Sequence, residues 1–222
     1  MRRALAAFCL AALAAASAAA QDAALPAKPT GGASERGLQL ALRTGFARPF
    51  GKIADDSTAS ISDAFTGFLP IWLEGGYRFN PNLFVGAFFQ YALGLAKNCD
   101  PGFSCSGSDL RFGVEAHFHL LPSQKVDPWA GVGVGYEWLN IRESRGSLNI
   151  DGGARGFEFV SLQAGADMAL TDKFSVGPFV ALTLAQYGIV SASGGGPPIS
   201  QNIQRTSLHE LLLFGVRGAF NP

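Results

Sequence analysis

The sequence predicts an all-β chain, an antiparallel, up-and-down transmembrane β-barrel of about eight strands, preceded by a signal peptide. Three features predict this fold class. The amino terminus has the layout of an export signal, apolar and polar residues alternate along repeated segments, and long polar breaks take turns with short ones. Mean hydropathy is +0.19, yet after the signal no apolar run is long enough for a transmembrane helix. A chain of this kind is either a secreted all-β domain or a membrane barrel.

Residues 1–20, MRRALAAFCLAALAAASAAA, are predicted to be a cleaved signal peptide. Arg2 and Arg3 precede an Ala- and Leu-rich run, and small residues follow in the A-x-A pattern of a cleavage site before Gln21. An uncleaved membrane anchor is the alternative, but the apolar run is short for a membrane span.

Two further regions follow the signal. Residues 21–36 are small, polar and proline-bearing, and are predicted to be a flexible periplasmic lead-in. Residues 37–222 are predicted to form one outer-membrane barrel domain. Its candidate strands share alternating positions bounded by turn residues, and they cover roughly 37–50, 65–79, 83–96, 109–121, 129–142, 156–170, 174–189 and 206–220. Each candidate is long enough to cross a bilayer at a tilt.

The breaks between the predicted strands alternate in length. The long ones read GKIADDSTASISDA, KNCDPGFSCSGS, ESRGSLNIDGGAR and SASGGGPPISQNIQR, and the short ones read NPN, PSQKVDP and TDK. Barrels of the bacterial outer membrane have long extracellular loops and tight periplasmic turns in this order. If the first strand rises from the periplasm, both termini lie on the periplasmic side.

The two faces of the strands indicate which side meets lipid. In residues 129–139, WAGVGVGYEWL, bulky apolar side chains alternate with glycines and Glu137. Elsewhere the small or polar face carries arginine and glutamate but no lysine, because every lysine falls in the lead-in, a loop or a turn. A strand face bathed in water normally carries lysine. The polar face is therefore predicted to lie inside the barrel, with the apolar face toward lipid.

Charged residues of the polar face are predicted to form a network in the lumen. Its members are Arg43, Glu74, Arg78, Arg111, Glu115, Glu137, Asp167 and Arg217. Removing an ion from water costs several kcal/mol unless it is paired, and these four arginines and four acids are balanced. A barrel of about eight strands has an interior just wide enough for side chains to fill. We expect the network to plug the barrel.

Aromatic residues gather near both ends of the predicted strands, as in the girdles of membrane barrels. The predicted periplasmic girdle contains Tyr77, Phe79, Phe84, Phe118, Trp129, Phe174 and Phe220. The predicted extracellular girdle contains Phe46, Phe65, Tyr91, Tyr136, Trp138 and Tyr187. The alternative is the scatter of aromatics found in an ordinary β core.

Two cysteines follow the signal peptide, Cys99 and Cys105, in the loop-like stretch KNCDPGFSCSGSD. Export to an oxidising compartment favours a disulfide between them, which would stiffen the loop. Neither cysteine has a nearby histidine and the spacing is not C-x-x-C, so redox catalysis and metal binding are disfavoured.

The chain resembles the small outer-membrane β-barrel proteins of Gram-negative bacteria, with OmpA/OmpX-type architecture. The signal peptide, the alternating strands, the order of breaks and the ending LLLFGVRGAFNP carry the resemblance, which covers about residues 37–220. It implies that the barrel assembly machinery recognises the last strand, where Phe214, Val216 and Phe220 alternate, although two residues extend past Phe220. No peptidoglycan-binding domain is expected. The resemblance implies fold and location rather than activity.

The expected function is a structural or surface-interaction role through the extracellular loops, because loops on a rigid scaffold carry recognition. The expected surroundings are outer-membrane lipids and lipopolysaccharide, with an extracellular partner at the loops and a monomeric barrel. A formal net charge of zero disfavours a nucleic-acid partner. No cofactor, metal or catalytic residue is expected.

Three alternatives depend on particular residues. His117 and His119 share a strand face, but no compact third metal ligand is visible, which favours a lumenal hydrogen-bond network. Ser207 and His209 share a face in TSLHELL, the basis of an alternative lipid-modifying hydrolase or acyltransferase. Such an enzyme also needs a group that orients the histidine and an oxyanion site. A narrow, low-conductance channel would require the lumen network to open.

Overall fold

The computed structural model describes residues 36–55, 60–97, 99, 101–146, 148–194 and 196–222. The predicted signal peptide and nearly all of the predicted lead-in lie outside these residues. The described elements, in chain order, are β1 (Gly37–Gly51), α1 (Ile61–Ala64), β2 (Phe65–Asn80), β3 (Leu83–Ala96), β4 (Ser104–His119), β5 (Val126–Arg145), β6 (Leu148–Ala169), β7 (Phe174–Ser193), β8 (Ile199–Asn202) and β9 (Leu208–Phe220). Helices long and apolar enough to cross a membrane are absent from this part of the chain.

Eight of the nine strands close into a ring. From β1 to β7 each strand pairs antiparallel with the next one along the chain. Strand β9 pairs with both β7 and β1 and so closes the ring. Among the described strands, β8 pairs with β7 alone and lies outside the ring. The predicted antiparallel, up-and-down barrel of about eight strands is confirmed.

The two ends of the barrel differ in their connections. At one end, called the turn end, the strands are joined by residues 81–82, 120–125 and 170–173. At the other, called the loop end, the connections are residues 52–64, 97–103, 146–147 and 194–207. The third break was predicted to be a long loop, and this is wrong, because β5 continues to Arg145 and β6 begins at Leu148. Gly146, with φ of 58°, accommodates the tight turn that lets the two strands continue.

Strands β5, β6 and β7 are longer than a membrane crossing requires. They contain 20, 22 and 20 residues, whereas a tilted strand needs about 9–11 residues to cross a membrane. Each is longer than its predicted segment. The loop-end parts of these strands, together with β8 and the first residues of β4, which pair with β5 up to Ser144, are called the projecting sheet.

The apolar face of the strands lies outside and the polar face inside. Leu40, Leu73 and Val114 on the outer wall are 56%, 52% and 56% exposed. Arg43 and Glu74, on the same strands as the two leucines, are 0% and 4% exposed. A water-soluble barrel would bury its leucines instead, so the outer wall is built to meet lipid.

Inward-facing glycines make room for large rings. Gly113 on β4 pairs with Gly135 on β5, and the ring of Phe88 covers both. A Cβ atom on Gly113 would lie 2.1 Å from the carbonyl oxygen of Val134, and one on Gly131 would lie 2.5 Å from the His117 ring. The glycines of the GVGVG stretch therefore provide space for side chains that fill the lumen.

Substitution of Gly113 with alanine is expected to lower the free energy of unfolding by about 1–3 kcal/mol, because the added methyl group must displace backbone. Gly188→Ala is the matched control, since a Cβ there meets nothing within 4 Å. Urea unfolding of the purified barrels in lipid vesicles, followed by tryptophan fluorescence, measures both variants. Equal stability of the two would contradict the close approach of β4 and β5.

The girdle prediction is wrong for four aromatic residues. Phe65, Phe84, Trp129 and Tyr187 are only 0–2% exposed and lie inside the barrel. The rings of the first three lie over inward-facing glycines, as Trp129 does over Gly165. Among the predicted girdle residues, those exposed on the outer wall are Tyr77, Phe79, Tyr91, Phe118, Phe174 and Phe220. A small barrel filled by side chains needs large rings inside as well as at its interfaces.

Candidate functional site

The middle of the lumen contains a charge cluster centred on Glu74 of β2, called the central cluster. Arg43 of β1 donates a hydrogen bond to Glu74 and another, 2.7 Å long, to Gln163 Oε1 of β6. Arg217 of β9 donates to Glu74 Oε2 at 3.1 Å and also to Asp167 of β6. One carboxylate thus joins two guanidinium groups that come from different strands.

Two side chains of β4 complete the central cluster. Glu115 Oε2 lies 3.7 Å from Arg43 Nη2 and accepts a hydrogen bond of 3.1 Å from Gln163. His117 Nε2 lies 3.2 Å from Arg43 Nη2 and 3.4 Å from Glu115. Ligand-type atoms of Glu74, Glu115 and His117 all lie within 4.8 Å of one another. Arg43 contacts all three of these residues, so a metal ion there would have to displace its guanidinium group.

Aromatic rings enclose the central cluster. The Cζ atom of Arg43 lies 4.5 Å from the ring centre of Trp72, 5.1 Å from that of Trp129 and 5.0 Å from that of Phe179. These distances allow cation–π attraction, which is stronger when water is excluded. Arg43 and Trp72 are both 0% exposed. The lumen at this level is filled by rings and paired charges.

A second cluster lies toward the turn end. Arg78 of β2 donates to Gln39 Oε1 at 3.1 Å and to the carbonyl oxygen of Pro81 at 2.8 Å. His119 lies between Arg78, at 3.0 Å, and Asp127, at 2.7 Å. These contacts tie β1, β2, β4 and β5 together beneath the central cluster.

A third cluster lies toward the loop end. Arg111 of β4 donates to Glu158 of β6, through Nε at 2.8 Å and also through Nη2. Glu137 of β5 accepts a hydrogen bond of 2.5 Å from the Tyr187 hydroxyl and lies 3.1 Å from His209 Nε2. The rings of Tyr187 and His209 stack with their centres 4.1 Å apart.

The structure buries all eight residues of the predicted lumen network, but it does not bring them into one group. The central cluster contains Arg43, Glu74, Glu115, Asp167 and Arg217. The other three members lie in the end clusters and pair with residues that were not predicted: Arg78 with Gln39, Arg111 with Glu158, and Glu137 with Tyr187 and His209.

Three buried acids are missing from the predicted network: Asp109, Asp127 and Glu158. A register shift between Glu158 and Val160 interrupts the alternation of faces in β6, so a single period of two does not describe this strand. The local signal was the order Phe157, Glu158, Phe159, in which the acid alone faces inward. The glutamines carry no charge and gave no such signal.

The predicted pair of Ser207 and His209 does not form. His209 points into the barrel and is 3% exposed. Its Nε2 atom lies 3.1 Å from Glu137 Oε2, a contact that orients the ring. The Ser207 hydroxyl lies 3.5 Å from the carbonyl oxygen of Leu208, and it makes no hydrogen bond to His209 in the described structure. A histidine with a carboxylate partner is present, but a serine nucleophile is not positioned beside it.

Two interactions organise the loop end. Cys99 and Cys105 form the predicted disulfide, which ties the connection after β3 to the beginning of β4. Arg145, at the tip of β5, lies with its Cζ atom 5.5 Å from the ring centre of Phe103 in the same connection. The loop is therefore held against the far end of β5, at the tip of the projecting sheet.

The projecting sheet also contains an exposed ion pair. Arg142 Nε of β5 donates a hydrogen bond of 2.5 Å to Asp151 Oδ1 of β6. Their side chains are 65% and 40% exposed. This hydrogen bond raises the pKa of Arg142. An exposed pair of charges at this level of β5 and β6 is suited to water rather than to lipid.

Comparisons with known proteins agree with this architecture. The family model for the outer membrane protein beta-barrel domain matches residues 6–194. No curated protein matches the sequence. A major outer membrane protein from Thermus thermophilus has a similar structure, with a TM-score of 0.55 at 11% identity, covering 85% of this chain and 100% of that one.

Two further structures have lower TM-scores. OprG from Pseudomonas aeruginosa has a TM-score of 0.49 at 14% identity, covering 85% of this chain and 99% of that one. Ail, the attachment invasion locus protein of Yersinia pestis, has a TM-score of 0.45 at 11% identity, covering 83% and 99%. The family match spans most of the chain, and the barrel presents an apolar wall around a charged interior. The chain therefore belongs to the outer membrane protein beta-barrel family and is a protein of the outer membrane.

Proposed function

We propose that the protein is a closed barrel that presents its projecting sheet and disulfide-bonded loop to partners outside the cell. In this proposal the loop end faces outward, and both termini lie on the periplasmic side. The barrel is a monomer surrounded by outer-membrane lipids and lipopolysaccharide, inserted by the barrel assembly machinery. The length of β5, β6 and β7 beyond the bilayer is the observation that carries the proposal, because crossing a membrane does not require it.

The filled lumen supports an interaction role over a transport role. An open path through the centre would have to separate Arg43 and Arg217 from Glu74. A buried charge that loses its partner costs several kcal/mol. The side chains that would have to move are also packed against Trp72 and Trp129.

The projecting sheet has surface features suited to a partner. All four residues of β8 are exposed, and its side away from β7 is unpaired among the described strands. Ile199 is 67% exposed, and Leu148 and Ile150 of β6 are 42% and 40% exposed. Apolar side chains next to an open strand edge are typical of a surface that another chain covers.

Shortening the projecting sheet tests this function. We expect that replacing residues 141–152 with Asn-Gly, which joins the paired residues Asn140 and Gly153, abolishes attachment and leaves the barrel folded. Cells displaying either form are applied to immobilised heparin and to a layer of the same cells. Retention of the full-length form on at least one surface, and its loss with the shortened form, is the expected result.

Two controls accompany the attachment assay. Heat-modifiable gel migration must show that both forms are closed barrels. Purified full-length protein in planar bilayers is expected to give at most small, rare conductance events, because the lumen clusters must open for ions to pass. Equal retention of both forms, or a large steady conductance, would contradict the proposed role.

A further inference from the structure

A groove opens on the outer wall of the barrel between β6 and β7, in the half nearer the loop end. A register shift places Arg155 opposite Ile189 and Gly156 opposite Tyr187, so Gly188 is an extra residue in β7. A Cβ atom on Gly188 would meet nothing within 4 Å. The groove encloses about 520 Å³, part of it open to the outside. The bulge and its glycine create a depression in a wall that is otherwise covered by side chains.

The lining of this groove changes from polar to apolar along β6. Arg155, Phe157 and Phe159 are exposed on the outer wall and follow one another from the loop end toward the middle of the strand. Phe157 is 62% exposed and Phe159 is 50% exposed. Gln186 and Thr206 also line the groove. The groove thus offers a cation and neutral hydrogen-bonding groups beside a pair of aromatic rings.

Arg155 has no counter-ion in the described part of the chain, unlike Arg142, which pairs with Asp151. An arginine on the lipid-facing wall is costly near the middle of a bilayer, and this cost falls toward the interface. At the interface its guanidinium group can pair with phosphate, often through two parallel hydrogen bonds. The missing partner of Arg155 is therefore expected to be an anionic headgroup.

We propose that the groove binds the lipid A part of lipopolysaccharide. In this arrangement Arg155 donates to a lipid A phosphate, and an acyl chain lies along Phe157 and Phe159. Gln186 and Thr206 suit the hydroxyl and amide groups of the lipid A sugars, which phosphatidylethanolamine lacks. The inference rests on the proposed orientation, because the loop end must lie in the outer leaflet, where lipopolysaccharide is found.

Native mass spectrometry of the purified full chain in detergent tests the site. The probes are diphosphorylated lipid A, the same lipid A after phosphatase treatment, and phosphatidylethanolamine. We expect selective retention of diphosphorylated lipid A by the wild-type protein, with a loss of roughly tenfold in affinity for Arg155→Gln. Phe157→Ala is expected to weaken binding while leaving the arginine in place. Arg142→Gln is the matched control, since Arg142 lies outside the groove, and its binding is expected to equal that of the wild type.

Several results would overturn the site. One is equal binding of diphosphorylated lipid A by the wild type and by Arg155→Gln. The others are binding of phosphatase-treated lipid A, or retention of phosphatidylethanolamine, equal to that of diphosphorylated lipid A by the wild type. Heat-modifiable migration confirms that each variant is folded before its binding is measured. Labelling of Gln201→Cys, an exposed position on β8 that is not paired with either cysteine, on intact cells with a membrane-impermeant maleimide tests the orientation separately. Failure of labelling would overturn the orientation and the proposed function, whereas successful labelling without lipid A selectivity would overturn only the groove.

Discussion

Replacing Glu74 with glutamine is expected to destabilise the barrel by about 3–5 kcal/mol, the cost of removing one partner from a buried ion pair. Glu74 accepts hydrogen bonds from both Arg43 and Arg217, and both arginines are 0% exposed. Glutamine has nearly the same shape but no charge. Only the carboxylates of Glu115 and Asp167 would then remain to neutralise the guanidinium groups of Arg43 and Arg217. Equilibrium unfolding by urea in lipid vesicles, read by tryptophan fluorescence, measures the loss.

The exposed ion pair of the projecting sheet supplies the matched control. Asp151→Asn removes an acid from a pair that is also bridged by a short hydrogen bond, but its side chains are 40% and 65% exposed. Water and salt already screen this pair, so no measurable loss of stability is expected. Similar unfolding curves for Glu74→Gln and Asp151→Asn would show that the charges in the lumen are not tightly coupled.

Trp72→Ala is expected to lower the free energy of unfolding by about 3–5 kcal/mol, because it leaves a large cavity in a close-packed interior. The Trp72 ring lies 5.1 Å from the ring of Phe88 and 6.3 Å from that of Phe179, centre to centre. It also covers the guanidinium group of Arg43 at 4.5 Å. Loss of the ring therefore removes apolar packing and weakens the cation–π attraction that shields the central cluster.

Trp138→Ala tests whether the loss of stability expected for Trp72→Ala depends on the ring lying inside the barrel. Trp138 lies on the outer wall, where its ring stacks on Phe112 at 5.0 Å. Lipid can occupy the space that the ring leaves, so its removal is expected to cost clearly less than removal of Trp72. The same vesicle unfolding assay compares the two variants. A larger loss for Trp138→Ala would indicate that the wall aromatics, rather than the filled lumen, stabilise this barrel.

A filled lumen also bears on the proposed role of the projecting sheet. The three clusters link strands that are far apart around the ring, such as β1 with β6 through Arg43 and Gln163. Such links restrict changes in the cross-section of the barrel. In the proposed function, strands that continue from a stiff barrel would hold the residues of the projecting sheet in fixed positions for a partner.

In strands with unbroken pairing, the sequence predicted well which side chains face the lumen and which face the outside of the barrel. In β1 and in β4 below its tip, side chains alternate regularly, and Arg43, Arg111 and Glu115 face inward as expected. In β6 the prediction of lumen residues failed at Glu158, because register shifts there exchange the two faces. The third break looked like a loop by composition, yet backbone pairing continues through it from Arg142 and Asp151 to Arg145 and Leu148.

By itself, the amino-acid sequence determined the strand order, the lipid-facing wall and the charged interior. The strand order follows from the alternation of long and short breaks between consecutive strands, and the two faces follow from a period of two along each strand and from the cost of placing unpaired charges in lipid. The tertiary structure alone decided which interior groups meet, such as Arg111 with Glu158, and which aromatic rings cover the inward glycines. The physical reason is that such contacts depend on strand register and on closure of the ring, which bring together side chains from distant parts of the chain.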